Sequence, residues 1–355
     1  MIITSAPAKE TPVPSFYATG NAGLWAYRPE PGALMAEGEK WNRQFGIRSA
    51  ATDRRKLHLL LIDVQKDFCL PEGSLYVGGR SGRGAIEDSN RIARFIYRNL
   101  TSITEITTTL DTHFAYQIFS PLFWLMKDDH HPAPFRFVTS DDIRSGDLRP
   151  NPRIASMYTS GNYSWLLDYV LHYCKQLEKA GKYQLYLWPY HCLLGSDGHA
   201  LVPVIHEARL FHSFVRGSQS SVEVKGGSPF TENYSVLSPE VLLTHDGRSV
   251  GQKNTEFIKK LLESDAVVIA GQAASHCVKS SIDDLLEQIV SHDPKLASKV
   301  YIMTDCMSAV TVPDGKGGFV ADFTKDAEQA FDRFANAGMN LVKSTDPVES
   351  WMRVN

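Results

Sequence analysis

Cys277 ends the stretch Gly271-Gln272-Ala273-Ala274-Ser275-His276-Cys277, which follows the apolar run Ala266-Val267-Val268-Ile269-Ala270. Beyond it, Ile282, Leu285, Leu286 and Ile289 recur at three- and four-residue spacing. The β-branched run closed by glycine reads as a strand buried on both faces, and the spacing after it as a helix. Cys277 then falls near that helix's first turn, where free backbone N–H groups and the positive end of the helix dipole favour thiolate over thiol. Such a cysteine can serve as a nucleophile; the alternative is a buried, inert thiol at a strand-to-helix junction.

Three other charged positions follow strand-like runs. Leu57 to Ile62 reads as an apolar run, His58 apart, and ends in Asp63-Val64-Gln65-Lys66-Asp67-Phe68. An acid there is costly to bury without a purpose, and the carboxyl ends of strands are where an open α/β sheet keeps its ligand crevice; a turn or capping aspartate is the competing reading of Asp63. Ile106 to Leu110 ends in Asp111-Thr112-His113. In extended backbone the acid and the imidazole point to the same side, as two-thirds of a zinc- or iron-type site or as a salt-bridged pair. Val222-Glu223-Val224 ends in Lys225-Gly226-Gly227, and Leu185-Tyr186-Leu187 runs into Trp188-Pro189-Tyr190-His191-Cys192, a further imidazole-bearing loop. The adjacent His130 and His131 diverge in any regular structure and read as a polar loop.

The elements that must position these residues alternate along the chain. Helical spacing is found at about Ile86 to Asn99, Trp165 to Leu177, Val202 to Phe214, Phe257 to Leu262 and Phe323 to Phe334. Further strands are expected at Val300 to Met303 and Asn340 to Val342. The alternation implies an α/β fold, a mostly parallel Rossmann-like sheet with helices on both faces. Residues 1–55 hold Pro12, Pro14, Pro29, Pro31 and Gly32 with little periodicity, and read as an extended arm with one short helix, anchored by Trp25, Tyr27 and Trp41. One domain is expected over 56–355, with an insertion at about 118–182.

The chain has 355 residues, 43% of them hydrophobic and 22% charged. It can bury a sizeable core without staples. A net charge of −3 without a block of Lys and Arg argues against a nucleic-acid partner. No run approaches the length of a membrane span. Five scattered cysteines, an odd number with no Cys-x-x-Cys pair, suggest reduced thiols, and Met1 to Tyr17 lacks a secretory pattern; both point to the cytoplasm.

Taken together, Asp63-Val64-Gln65-x-Asp67-Phe68, Asp111-x-His113, Trp188-Pro189-x-His191-Cys192-x-x-Gly195, Lys225-Gly226 with Tyr234-Ser235 downstream, and Gly271-x-Ala273-x-x-His276-Cys277-Val278 resemble the nicotinamidase branch of the isochorismatase-like cysteine hydrolases. The resemblance spans about Leu57 to Val342, with the motifs in family order, and implies a six-stranded sheet. It further implies that Cys277 is the nucleophile, Asp63 the base that takes its proton and later delivers it to departing ammonia, and Lys225 the cation that favours both ionised partners. The backbone N–H groups of Ala273 and Cys277 would hold the oxyanion, with a cis peptide between Gln272 and Ala273. Asp111, His113 and His191 match ligands of a divalent transition metal, zinc first, with Fe2+ or Mn2+ as alternatives. Phe68 and Trp188 match aromatic walls around a pyridine ring, core packing being their other reading, and Tyr234, Gln272 and His276 would complete the substrate pocket.

The activity so implied is hydrolysis of nicotinamide to nicotinate and ammonia through a cysteine thioester. The alternatives are an amidase for another small carboxamide or carbamoyl compound, and a non-catalytic scaffold. The expected partner is a small-molecule carboxamide, and the arm and insertion leave room for a homo-oligomer. Two features depart from the family pattern: Gln117 stands where some relatives carry a second histidine, and about 75 residues separate His113 from Trp188, more than a compact nicotinamidase needs.

Overall fold

The computed structural model describes residues 10–181 and 183–351. The first nine residues of the expected arm, residue 182 at the end of the expected insertion and the last four residues lie outside the described residues.

Six strands form the central sheet: β1 (Leu57–Ile62), β2 (Ile103–Asp111), β3 (Ser221–Lys225), β4 (Ala266–Gly271), β5 (Val300–Met303) and β6 (Asn340–Val342). Their spatial order is β6-β5-β4-β1-β2-β3, and every neighbouring pair is parallel. Chain order reverses between β1 and β4, and the crevice outside their carboxyl ends is where doubly wound sheets bind ligands.

Both faces of the sheet are covered, which is why β1 and β4 are buried at every position and, His58 apart, carry no polar side chain. Leu57, Leu59 and Leu61 pack with helices α1 (Pro31–Phe45), α2 (Gly84–Arg98) and α4 (Pro203–Arg216) through Trp41, Ile92, Phe95 and Phe211. Leu60, Ile62, Val267 and Ile269 face α5 (Thr255–Leu262), α6 (Cys277–His292) and α7 (Thr324–Asn336) through Phe257, Ile282, Leu285 and Phe334. The remaining long helix, α3 (Tyr163–Ala180), puts Leu166, Tyr169, Tyr173 and Leu177 into that second cluster beside Trp188 and Tyr234.

The N-terminal segment is more regular than an extended arm. α1 runs for 15 residues, opened by Pro31 and the Glu30 carboxylate, which accepts from the amides of Gly32 and Ala33. Leu34, Gly38 and Trp41 share one face at helical spacing. A Cβ on Gly38 would stand 3.2 Å from Cβ of Phe214, so glycine lets α1 lie closely against α4. Tyr27 donates to the buried carboxylate of Glu207, and Lys66 donates to the Trp25 carbonyl at 2.9 Å.

Leu185–Tyr186 is not a strand of the main sheet. It pairs antiparallel with Phe137–Val138, and Trp124–Met126 pairs likewise with Leu148–Pro150. The segment between β2 and α4 thus builds two small ribbons and α3 of its own, and His130 and His131 sit on its exposed surface.

Candidate active site

The residues read from sequence as strand-end groups meet at the carboxyl edge of the sheet. Asp63 follows β1 with φ 46, a left-handed conformation uncommon outside glycine. Its amide donates to Thr109 Oγ at 2.9 Å, and Thr109 Oγ–H donates back to its carboxylate. Lys225 ends β3 directly opposite Asp111 at the end of β2. Its Nζ lies 3.0 Å from Asp63 Oδ2, 3.0 Å from Asp111 Oδ1 and 2.8 Å from the Asn233 carbonyl. The ammonium thus donates a hydrogen bond to the Asn233 carbonyl and forms ion pairs with both carboxylates. Cys277 Sγ stands 3.6 Å from the same Nζ.

Gly271 makes this approach feasible: at φ 120, a Cβ there would lie 2.0 Å from the Ile62 carbonyl oxygen, so only glycine lets β4 turn away beside β1. The peptide between Gln272 and Ala273 is cis. Among the described residues, neither the Ala273 nor the Cys277 amide N–H has a hydrogen-bond partner.

Burial sets the protonation states. It pushes the Cys277 thiol well above its ordinary pKa; Lys225 opposes, but the carboxylates of Asp63 and Asp111 add to burial. Burial thus works against the thiolate that a helix N-terminus favours. Burial also raises the Asp63 carboxyl, with Lys225 pulling the other way. Burial opposes the charge on Lys225, yet Asp111 and Asp63 hold its pKa well above the usual lysine range. Burial thus favours the neutral thiol, and the two acids favour the charged form of Lys225.

Asp111, His113 and His191 converge one layer out. His113 Nδ1–H donates to the His191 carbonyl at 3.1 Å and His191 Nδ1–H to the Pro189 carbonyl at 2.7 Å, leaving both Nε2 lone pairs for the cluster. His113 Nε2 stands 3.0 Å from Asp111 Oδ1 and His191 Nε2 3.8 Å from Oδ2. His113 Nε2 is buried without a hydrogen-bond partner. Three potential acceptors facing one another leave room for a shared cation, whereas a proton would satisfy only one imidazole. The donor set fits a divalent ion of nitrogen and oxygen preference. Gln117 takes no part: its carbonyl oxygen accepts from the Phe114 amide, and its amino group donates to the carbonyls of Gly226 and Ser228.

A cavity opens over Cys277, lined by Phe68, Trp188, Tyr234, Ala273, His276 and both Asp111 and His191. Trp188 Nε1–H donates to Tyr234 Oη at 2.7 Å, and the His276 ring lies 5.3 Å from Trp188 and 5.4 Å from Tyr234. Gln272 is a correction to the expected pocket set. Its side chain is fully buried away from the cavity, donating to Asp88 at 2.9 Å and accepting from the Ser308 amide at 3.2 Å. A side chain adjacent to Ala273 across the strand-end turn points to the opposite side.

Sequence reasoning missed Glu232, which lines the cavity and whose carboxyl burial raises to about 7. The loop carrying it offered no periodicity to place it. Asp88 was also missed, although its signal was available: it stands in register with Ile92 and Phe95, an acid on the apolar face of α2.

Fold and site together define a class, a doubly wound parallel sheet with a cysteine–aspartate–lysine cluster and an Asp-His-His donor set at its switch point. In particular, the chain is similar to nicotinamidases. The nicotinamidase of Escherichia coli (strain K12) is 25% identical over 162 residues, 45% of this chain and 59% of that relative's own length. Among solved structures, the yeast nicotinamidase Pnc1p bound to the inhibitor nicotinaldehyde superposes with a TM-score of 0.49 at 18% identity, covering 81% of this chain and 99% of that one. The pyrazinamidase of Pyrococcus horikoshii in complex with zinc gives 0.42 at 16% identity, with 81% and 99% covered. No family model matches the sequence.

Proposed function

We propose that this chain is a metal-containing cysteine amidohydrolase that converts nicotinamide to nicotinate and ammonia. The observation that carries the reading is the buried contact of Lys225 with Asp63 and Cys277 at the floor of an aromatic cavity. Asp63 takes the thiol proton as Cys277 sulfur bonds to the amide carbon, so no free thiolate is needed beforehand. The N–H groups of Ala273 and Cys277, unpartnered among the described residues, donate to the developing oxyanion. Collapse breaks the C–N bond, and Asp63 returns its proton to nitrogen as ammonia leaves. Asp63 then takes a proton from water as the water oxygen attacks the thioester, and the second collapse expels Cys277 sulfur, which recovers that proton and frees the carboxylate. Lys225 keeps Asp63 in the basic form between steps.

Asp111, His113 and His191 would hold the divalent ion, zinc first, since two imidazoles and a carboxylate with an open position are a common zinc donor set. When bound, the ion supplies a Lewis-acidic anchor for a substrate heteroatom or water. Phe68, Trp188, Tyr234 and His276 would enclose the ring. A second reading, another small carboxamide, is favoured by the insertion, since Phe135 and Tyr186 stand behind Trp188 at 6.3 and 4.7 Å between ring centres and reshape that wall.

The test is ammonia release from nicotinamide and from a panel of aliphatic and carbamoyl amides, across divalent-metal loadings. Turnover of nicotinamide that disappears in Cys277→Ala is expected. Activity confined to non-pyridine amides would select the second reading, and no amide turned over at any loading would defeat both.

A further inference from the structure

Behind the turn that carries Ala273 lies a closed ring of hydrogen bonds in which none of the proposed chemical groups takes part. Asp88, on α2 and buried, accepts at Oδ2 from Gln272 Nε2 at 2.9 Å and from Ser308 Oγ at 2.6 Å. Ser308 closes the ring by donating its amide N–H to Gln272 Oε1 at 3.2 Å. The same Ser308 accepts at its carbonyl from the Ala274 amide at 2.8 Å. The two residues flanking Ala273 are thus held from one side, Gln272 by its side chain and Ala274 by its backbone. Gly84, one helical turn before Asp88, is part of the seat: a Cβ there would stand 2.3 Å from Ser308 Oγ.

Burying a carboxylate costs several kcal/mol unless its oxygens are satisfied. Here Asp88 Oδ1 takes Arg91 at 2.9 Å, and both donors on Oδ2 come from the strand-end turns rather than from its own helix. A carboxylate kept solely for stability could be replaced by an apolar contact between helix and loop. The ring instead fixes the direction of one peptide, and that peptide's N–H is the free donor facing the cavity.

We propose that Asp88 is a positioning residue for acyl transfer: through Gln272 and Ser308 it sets the direction of the Ala273 amide toward the oxyanion. The inference rests on reading Ala273 and Cys277 as the oxyanion pair. Asp88 touches neither substrate nor sulfur, so its loss alters kcat and leaves ground-state binding in the aromatic cavity intact. An error of about 1 Å in such a donor lowers turnover by roughly 10- to 100-fold.

The experiment compares the unsubstituted protein with Asp88→Ala, Asp88→Asn and Ser308→Ala on whichever carboxamide it hydrolyses, with melting temperature and the rate of Cys277 alkylation by iodoacetamide measured alongside. Alkylation needs no oxyanion donor and reports the thiol alone. Asp88→Ala is expected to lose about 10- to 100-fold in kcat, with KM within about twofold and alkylation unchanged. Asp88→Asn, whose Oδ1 can still accept from both Gln272 and Ser308, should recover to within about threefold of the parent although it melts no higher than Asp88→Ala. Ser308→Ala keeps the backbone contacts and stands in if Asp88→Ala does not fold, with an intermediate loss expected. Equal kcat in Asp88→Ala (or in Ser308→Ala standing in for it), an Asp88→Asn loss as large as that of alanine, or a loss shared by alkylation would each overturn the proposal alone. An unsubstituted protein that turns over no amide would take the hydrolase reading and this inference down together.

Discussion

At the scale of single residues, the account turns on charges that can be buried only in company. Asp63 and Asp111 share the Lys225 ammonium at 3.0 Å each, and removing it leaves two carboxylates close together in a dry site. Lys225→Met should therefore abolish turnover and lower stability by about 3 to 5 kcal/mol, as breaking a buried ion pair does, unless one acid takes up a proton; denaturant titration at two pH values reads both effects. The metal ligands make a separate prediction. Protein purified without chelator should carry about one divalent ion per chain, and His191→Ala should lose it on elemental analysis, since three protein ligands are few to begin with. Full occupancy in that variant would show the ligand set to be wrong. The thiol is where burial works against the sequence reading at this scale. A helix N-terminus can be read from a window of residues, but the burial of Cys277 arises only when segments distant in the chain close over it.

At the scale of elements, much of the site was legible because the physics is local. An acid or lysine at the carboxyl end of a strand of a parallel sheet has few inexpensive places to be, and Asp63, Asp111 and Lys225 each stood at such an end. The periodicities of α2, α4, α5 and α7 likewise announced helices within about two residues of their observed ends, as expected for fraying boundaries. Glu232 and the opposite-facing side chain of Gln272 were not legible, since each owes its place to a partner distant in sequence. The N-terminal helix α1 was underread because its apolar face is only Leu34, Gly38 and Trp41, too sparse to register without α4 beside it. Gly271 offers the sharpest test at this scale. Gly271→Ala places a methyl 2.0 Å from the Ile62 carbonyl at a φ that alanine avoids, so a loss of more than about 4 kcal/mol, or failure to fold, is expected. Wild-type stability in that variant would mean that β1 and β4 do not approach as described.

At the scale of the whole molecule, buried histidines tie stability to pH away from the site. His212 on α4 donates through Nε2 to the Ile103 carbonyl at 2.9 Å, and burial lowers its imidazole from 6.5 to about 4. Between those values the unfolded chain binds a proton that the folded chain refuses. Stability is therefore complete above about 6.5 and falls as the pH drops toward 4, by roughly 3 kcal/mol for this group. His212→Gln should flatten that slope in denaturant titrations at pH 7 and 4.5, and an unchanged slope would locate the acid sensitivity elsewhere. No helix of the described residues is long and apolar enough to cross a membrane. The central claim is that a sulfur at the switch point of this sheet forms and breaks a bond to a small carboxamide. Acid-quenched turnover of nicotinamide, followed by peptide mass spectrometry, addresses it directly. The account predicts a pyridine-3-carbonyl adduct on Cys277 that vanishes when substrate is exhausted; sustained ammonia release from a Cys277→Ala protein, with no adduct on the parent, would contradict it.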